Sequence, residues 1–274
     1  NLDEYNDVNF LAGSSIGGFR FRKNTSCCSN LTIGSVGTTN GVTNSGGGLV
    51  WIDGAEGITV AAPIVSGGSD IKLDTWNIVI DQPIDAGAGS VSLWASDGAI
   101  TGPGLITGLT SIDLAANNGI GSIGAPLQTR TAQFSAENYL SGDIAIINNS
   151  SPGPFLNVLR AQIWGGSGQV KIENTGAMKL GADGGELVGG VASFGGGVTL
   201  LASGSLTLDN SVYAGGGDIV LKGAGFTNNV PVNALYAPAG RWLIYVPNPD
   251  SVTEKSDLVA TLYQYSTLYP GSVA

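Results

Sequence analysis

Apolar and polar positions alternate in short segments along most of the chain. In each segment the first and third residues are apolar and the second is often polar, as in Ile71, Lys72 and Leu73. This period of two is typical of a β-strand with one buried face. The segments that share the pattern are LVWID at residue 49, IKLD at 71, VSLWAS at 91, IDLAA at 112, VKIE at 170, VTLLAS at 198 and IVLK at 219.

The spacing of these segments indicates a repeating unit. Their starts lie 20 to 22 residues apart where the series is regular. A shorter apolar segment follows in most units, as in ITVAAPI at 58, IVIDQPI at 78 and LTLDNSV at 206, and turn-forming residues lie between the two. No convincing amphipathic helix occurs before residue 240. Units of about 20 residues without helices are typical of a solenoid.

The predicted fold is all-β, a right-handed parallel β-helix with about 20–22 residues per coil. Strands that recur once per coil pair in parallel with the same strand of the next coil, about 4.8 Å along the axis. A β-sandwich is the alternative, but its antiparallel hairpins would not repeat near 21 residues.

Two regions interrupt the repeat. Residues 121–169 contain NNSSPGPF and are expected to form an irregular, loop-rich insertion in a β-helix of residues 1–240. Residues 241–274 differ in composition, because no glycine occurs between Arg241 and Pro270 and aromatic residues are frequent. We expect this tail to be a cap that covers the last coil, or the start of a following module.

Composition narrows the class of protein. The chain has 44 glycines, 42% hydrophobic residues and only 12% charged residues, which argues against disorder, and glycine shows no collagen period. Its net charge of −10 opposes binding to nucleic acid and suits secretion into water. The sequence contains no run of 18 apolar residues, so no membrane-spanning helix is predicted. The chain begins at Asn1 without a leader, and we expect it to be processed or part of a longer protein.

Two glycine-rich stretches precede strands and resemble ligand loops. One has Gly67, Gly68 and Asp70, and the other has residues 215–217 and Asp218. Phosphate loops place glycines before a helix, and calcium-binding β-rolls repeat theirs every nine residues, whereas these two stretches are isolated. We therefore predict structural corners, with each Asp bonding local backbone N–H groups.

Residue types exclude several kinds of catalytic site. Histidine is absent, which rules out Ser-His-Asp and Cys-His systems and the usual zinc sites. The closest carboxylate pairs, Asp70 with Asp74 and Asp81 with Asp85, fall at turns and strand ends. No catalytic, cofactor-binding or metal-binding residue is predicted, no cofactor is expected, and the chain is not expected to be an enzyme.

Some residues allow two interpretations. FRFRK at 19–23 is a half-buried strand or a basic patch for anionic glycans, and alternation favours the strand. Exposed tryptophans would stack on sugars, but Trp51 and Trp94 fall inside strand segments and are expected to pack. The other candidates are Trp76 and Trp164.

Two adjacent cysteines and several glycosylation sequons complete the candidate sites. Cys27 and Cys28 form a candidate vicinal disulfide, and two buried thiols or an intermolecular bridge remain as alternatives. The sequons are expected to mark exposed loops, mostly unmodified, and they begin at Asn24, Asn30, Asn148 and Asn149.

Longer phrases resemble a known family. LTIGSVGTTNGVTNSGGG at 31–48, APAGRWLIYVPNPDS at 237–251 and LYQYSTLYPGSV at 262–273 look like the secreted filamentous-haemagglutinin-type exoproteins of Gram-negative bacteria. The coil phrases are weakly specific, whereas the RWLIY and YQYSTLYPG pair is more specific. The resemblance covers essentially the whole chain and implies a late section of a β-helical stalk, without the family's amino-terminal secretion domain.

The resemblance also implies a function. It points to export through an outer-membrane partner and to adhesion, biofilm or surface fibres at the extracellular cell surface. We expect a structural and adhesive segment, a rigid stalk or fibre, whose partner is a glycan or protein receptor, or copies of itself. The alternatives are a self-assembling filament subunit and, from another class, a β-helical polysaccharide-active enzyme.

Overall fold

The chain forms a parallel β-solenoid of about ten turns, as predicted. The computed structural model describes residues 2–23, 30–54, 56–149, 152–181, 190–253 and 258. In that part of the chain the helical content is one 3₁₀ turn, Pro249–Ser251, and the strands are numbered β1 to β33 in chain order.

The longest face of the solenoid, face A, extends through most of the coils. Its strands pair in parallel with the corresponding strand of the next coil, as Ile71 does with Val91 and Val91 with Ile112. The strands are β1 (Leu2–Asn6), β4 (Phe19–Lys23), β9 (Val50–Asp53), β12 (Ile71–Thr75), β15 (Val91–Ala95), β18 (Ile112–Ala116), β20 (Gln133–Asn138), β22 (Phe155–Ile163), β25 (Val191–Ser193), β28 (Val212–Ala214) and β31 (Leu235–Tyr236).

Face B is a shorter sheet confined to the amino-terminal coils. Its strands are β2 (Phe10–Leu11), β5 (Leu31–Ile33), β10 (Ile58–Val60), β13 (Ile78–Ile80) and β16 (Ile100–Thr101). Beside β5 the chain makes a small antiparallel hairpin from β6 (Ser35–Val36) and β7 (Thr39–Asn40).

Face C continues from the first coils to the last. Its eleven strands are β3 (Gly13–Ser15), β8 (Val42–Asn44), β11 (Ile64–Ser66), β14 (Ile84–Asp85), β17 (Leu105–Thr107), β19 (Leu127–Arg130), β21 (Ile144–Asn148), β23 (Val170–Asn174), β26 (Val198–Ala202), β29 (Ile219–Lys222) and β32 (Trp242–Tyr245).

A fourth face, face D, replaces face B in the carboxy-terminal coils. It consists of β24 (Ala177–Leu180), β27 (Leu206–Leu208), β30 (Phe226–Asn228) and β33 (Val252–Thr253). The order along a coil is therefore A, B, C in the amino-terminal part and C, D, A in the carboxy-terminal part.

Two long strands make this change of faces. The first four residues of β22 pair with β24 on face D, and its last three residues pair with β25 on face A. Ile120 forms isolated parallel bridges to Ile100 of face B and to Ile144, the first residue of β21. The column of face B thus merges into face C, and β21 is five residues long instead of the two or three of β11, β14 and β17.

The inward side chains of all coils form one hydrophobic core. Along face A, Val50, Ile71, Val91 and Ile112 lie in register and are completely buried. Burying each such side chain contributes about 1.5–3 kcal/mol, so coils that add equivalent residues stabilise one another.

The regular series of alternating segments lies on two faces. The segments that begin near residues 49, 71, 91 and 112 are strands of face A, whereas those at 170, 198 and 219 are strands of face C. The longest strand of a coil lies on face A in the amino-terminal part and on face C in the carboxy-terminal part. The change occurs where β22 pairs with strands of two faces and where β21, on face C, is five residues long.

The structure corrects the predicted irregular insertion at 121–169. This segment contains β19, β20, β21 and β22, all paired in parallel with neighbouring coils. The sequence there departs from the repeat because the faces change, and a register shift occurs between Phe134 and Ser135.

The start of the aromatic tail also belongs to the stack. Trp242 to Tyr245 pair with β29, and Val252 and Thr253 pair with β30. Composition therefore changes at Arg241 while the coil continues through the described part of the tail. The phrase at 262–273 lies outside the described residues.

Buried amides hold the corner between faces C and D. Asn148 is completely buried, which is contrary to the exposure expected of its sequon. Its Oδ1 accepts hydrogen bonds from the Thr131 N–H and the Thr129 hydroxyl, and its Nδ2 donates to Asn174 Oδ1 in the next coil at 2.9 Å. Asn149, the next residue, is exposed.

This corner generates a stability prediction. Asn148→Ala should lower the free energy of unfolding by about 1–3 kcal/mol, because it leaves the buried Thr131 N–H unsatisfied. Asn149→Ala is the matched control and should change it by less than about 0.5 kcal/mol. Denaturant titration followed by circular dichroism measures both, and equal effects would contradict the assigned role of Asn148.

Candidate functional site: the outer surface of face A

The two glycine-rich stretches are corners of the solenoid, at different places in the coil. Gly67, Gly68 and Asp70 connect face C to face A, whereas residues 215–217 and Asp218 connect face A to face C. Each corner precedes the long strand of its coil. The predicted structural role is therefore confirmed at both positions.

The glycines are required by the close approach of successive backbones. A Cβ on Gly216 would overlap the carbonyl oxygen of Gly195 in the preceding coil, and one on Gly215 would overlap that of Phe194. Gly68 has a φ of +100°, a conformation that L side chains rarely adopt. The corner at residues 215–217 therefore stacks backbone on backbone and leaves no room for side chains, whereas Gly68 is required by its φ.

The aspartates at these corners join neighbouring coils. Asp70 Oδ1 accepts a hydrogen bond from the N–H of Ser90 at 2.8 Å, and Asp218 Oδ1 accepts one from the N–H of Arg241 at 3.0 Å. Both donors precede the equivalent strand of the next coil. The expectation of bonds to local N–H groups was wrong, since each carboxylate satisfies a donor 20 or more residues away.

A groove of about 520 Å³ lies beside the glycine corner at residues 215–217. Its lining includes Asp143 and Asp218, whose carboxylates accept hydrogen bonds from backbone N–H groups. Among the described residues, no group of three or more Cys, Asp or Glu side chains is placed to hold a metal ion.

The predicted carboxylate pairs do not converge on a common site. Asp70 bonds to the next coil, and Asp85 Oδ1 accepts a hydrogen bond from the Gly87 N–H at 2.8 Å. Asp81 is exposed, and Asp74 lies on the outer surface of face A.

Asp74 has a charged environment. Its carboxylate lies 3.7 Å from Lys72 Nζ, and its strand register places it opposite Asp53. Burial raises the pKa of Asp74, Lys72 opposes this shift, and the charge of Asp53 adds to it. Asp53 itself pairs with Arg22 at 3.2 Å.

FRFRK is the strand β4, so its interpretation as a half-buried strand is confirmed. Phe21 and Lys23 are buried, and the Lys23 ammonium donates to the Val8 carbonyl oxygen at 2.8 Å and to Asn9 Oδ1 at 2.9 Å. The five residues therefore do not form one basic patch.

Four tryptophans lie on the outer surface of face A or at its edge, where Trp76 and Trp164 directly follow the strands β12 and β22. Trp51 packs beneath the Arg20 guanidinium, which lies 4.0 Å from its ring centroid. Trp94 is 47% exposed although it lies inside a strand, so the expected packing role was wrong there. Trp76 and Trp164 are the other two, and Trp76 is 51% exposed.

The same surface carries an aromatic stripe that sequence reasoning did not detect. Five successive coils each contribute one ring to the stripe. Ring centroids are 5.8 Å apart from Trp164 to Phe194, 5.1 Å from Phe194 to Tyr213 and 5.7 Å from Tyr213 to Tyr236. The aromatic stripe consists of Tyr139, Trp164, Phe194, Tyr213 and Tyr236.

A carboxylate lies beside the first two rings of the stripe. Glu137 accepts hydrogen bonds from the Tyr139 hydroxyl at 2.9 Å and from Trp164 Nε1 at 3.4 Å, and Arg160 Nε lies 3.6 Å away. Burial and the bond to Glu137 raise the pKa of Tyr139. The tyrosine therefore stays neutral and acts as a donor at physiological pH.

Other predicted sites lie elsewhere. Asn30 is exposed, as expected of a sequon in a loop. Cys27, Cys28 and Asn24 lie outside the described residues. No helix in the described part of the chain is long and apolar enough to cross a membrane.

Comparison with known proteins does not assign the chain to a family. No family model, no curated protein and no solved structure matches it.

The glycine corner generates a stability prediction. Gly216→Ala should lower the free energy of unfolding by about 1–3 kcal/mol, because the methyl group forces two coils apart. Gly124→Ala is the control, since a Cβ there has open space and should leave stability unchanged or slightly higher. Thermal unfolding distinguishes them, and a neutral Gly216→Ala would refute backbone stacking as the reason for glycine.

The environment of Asp74 generates a prediction about pH. Because the folded-state pKa is raised, ionised Asp74 destabilises the fold above that pKa, and the penalty disappears as pH falls below the unfolded value of about 3.9. Asp74→Asn should therefore raise the melting temperature at pH 7 and have little effect near pH 3. A melting temperature that falls at pH 7 would show that the Lys72 pair outweighs burial.

Proposed function

We propose that the chain is a structural and adhesive segment of a secreted bacterial surface protein, in which the solenoid is a rigid stalk. The observation that carries the proposal is the unbroken ladder of face C, whose eleven strands join all the coils. Parallel pairing along the whole length resists bending, and an outer surface repeated every coil suits contact with other molecules.

The resemblance of the coil phrases and of RWLIY to filamentous-haemagglutinin-type exoproteins supports the bacterial and secreted part of the proposal. The net charge of −10 also suits a protein that remains dispersed outside the cell. The groove beside residues 215–217 is lined half by glycine, and both of its carboxylates, Asp143 and Asp218, accept hydrogen bonds from backbone N–H groups, which favours a structural role for this part of the surface.

Shape in solution tests the stalk. About ten coils at about 4.8 Å each predict a monomeric rod with a solenoid length of about 50 Å. Small-angle X-ray scattering with sedimentation measures both properties. Growth of the mass with concentration would favour the filament alternative, and release of reducing or unsaturated sugar from polysaccharides would favour the enzyme.

Location on cells tests the adhesive role. Antibodies against the chain should label intact cells of the source organism, and deletion of its gene should reduce attachment to surfaces. Labelling that requires cell lysis would contradict an extracellular stalk, whatever the shape of the isolated chain.

A further inference from the structure

We propose that the aromatic stripe binds a linear, uncharged polysaccharide laid along the axis of the solenoid. This inference rests on the proposed adhesive function and specifies its surface and its ligand. The stripe is defined by Tyr139, Trp164, Phe194, Tyr213 and Tyr236.

Four of the five rings of the stripe are exposed, and Tyr213 is half-buried. Tyr139, Trp164, Phe194 and Tyr236 are between 36% and 54% exposed. The planes of Trp164 and Phe194 differ by only 16°, and their centroids are 5.8 Å apart, well beyond a ring contact of about 3.5–4.0 Å. The rings are therefore offset, so that part of each face remains open to a ligand.

The chemistry of the stripe matches the two kinds of surface on a sugar ring. Aromatic faces attract the C–H groups of a pyranose through dispersion and the ring quadrupole, and they exclude water from that face. Sugar hydroxyls need donors and acceptors at the edge. Glu137 and the Tyr139 hydroxyl supply them at one end of the stripe, and the hydroxyls of Tyr213 and Tyr236 supply them at the other.

The geometry favours a polymer over a small ligand. Five coils at about 4.8 Å place the first and last rings about 19 Å apart along the axis. An open surface holds a monosaccharide weakly, because little of the ligand is buried. A polysaccharide that contacts several rings binds with higher affinity, because each contact after the first is intramolecular.

Charge decides among candidate occupants. The chain carries a net charge of −10, so an anionic polysaccharide would be repelled, and the ion pair with Arg160 leaves no net positive charge at Glu137 to offset this repulsion. The same charge opposes a second copy of the chain across this surface. An uncharged polymer is not repelled by the charge of the chain, and its hydroxyl groups can donate hydrogen bonds to Glu137.

Direct binding of the intact chain tests the proposal. The probes are cellulose, β-1,3-glucan and mannan as uncharged polymers, and alginate as an anionic one, measured by pull-down and by affinity electrophoresis. At least one uncharged polymer should bind, and alginate should bind more weakly. Failure of all the uncharged polymers to bind would overturn the proposal and would leave the rod shape of the stalk unaffected.

Variants locate the binding surface. Trp164→Ala and Tyr236→Ala should each weaken binding about tenfold, because each removes one stacking face. Trp76→Ala is the matched control, since this tryptophan is exposed on the same face but lies three coils from Tyr139, and binding should be unchanged.

Circular dichroism and melting temperature identify a variant that fails to fold. Tyr236→Ala provides the second, more exposed substitution if Trp164→Ala is unstable. Folded stripe variants that bind as well as the unsubstituted chain would show that the stripe only stabilises the stack, and the proposal would be wrong.

Discussion

The parallel pairing of each coil with the next is the interaction on which the rest of the structure depends. It places equivalent residues about 4.8 Å apart along the axis, so every position must suit the same position in two neighbouring coils. Inside the solenoid this requirement produces the buried column from Val50 through Ile71 and Val91 to Ile112. At the corners it brings backbones into contact, which is why Gly215 and Gly216 have no side chains.

The same pairing determines how polar groups are satisfied. A corner leaves backbone N–H groups without a partner in a strand, and a carboxylate in the preceding coil accepts their hydrogen bonds. Asp70 accepts a hydrogen bond from the N–H of Ser90, and Asp218 accepts one from the N–H of Arg241. Where faces C and D meet, the buried amides of Asn148 and Asn174 bond across coils. These bonds give the stack a defined register, because a shift of one residue would leave buried donors unpaired.

The outer surface is the part of the solenoid that pairing leaves free to vary. The outward side chains vary most clearly on face A, where they include the salt-bridged Arg22 and Asp53, the exposed Trp94 and the aromatic stripe. A repeating scaffold turns one residue per coil into a continuous row along the axis. We propose that the aromatic stripe is such a row and that it holds a polymer, while the core and corners are unaffected.

The amino-acid sequence by itself determined the all-β solenoid, its coil length and the corner role of the glycines, because alternation and turn residues are local signals repeated in each coil. Only the tertiary structure showed that the segments at 71 and 219 belong to different faces, since β21 and β22 exchange the faces through pairing with distant residues. The same is true of the aromatic stripe. Trp164 and Phe194 are 30 residues apart, as are the paired residues Ile163 and Ser193. Phe194 and Tyr213 are only 19 apart, because Tyr213 is in register with Ala192, two residues before Phe194, so no fixed spacing marks the rings that the stacked coils bring together.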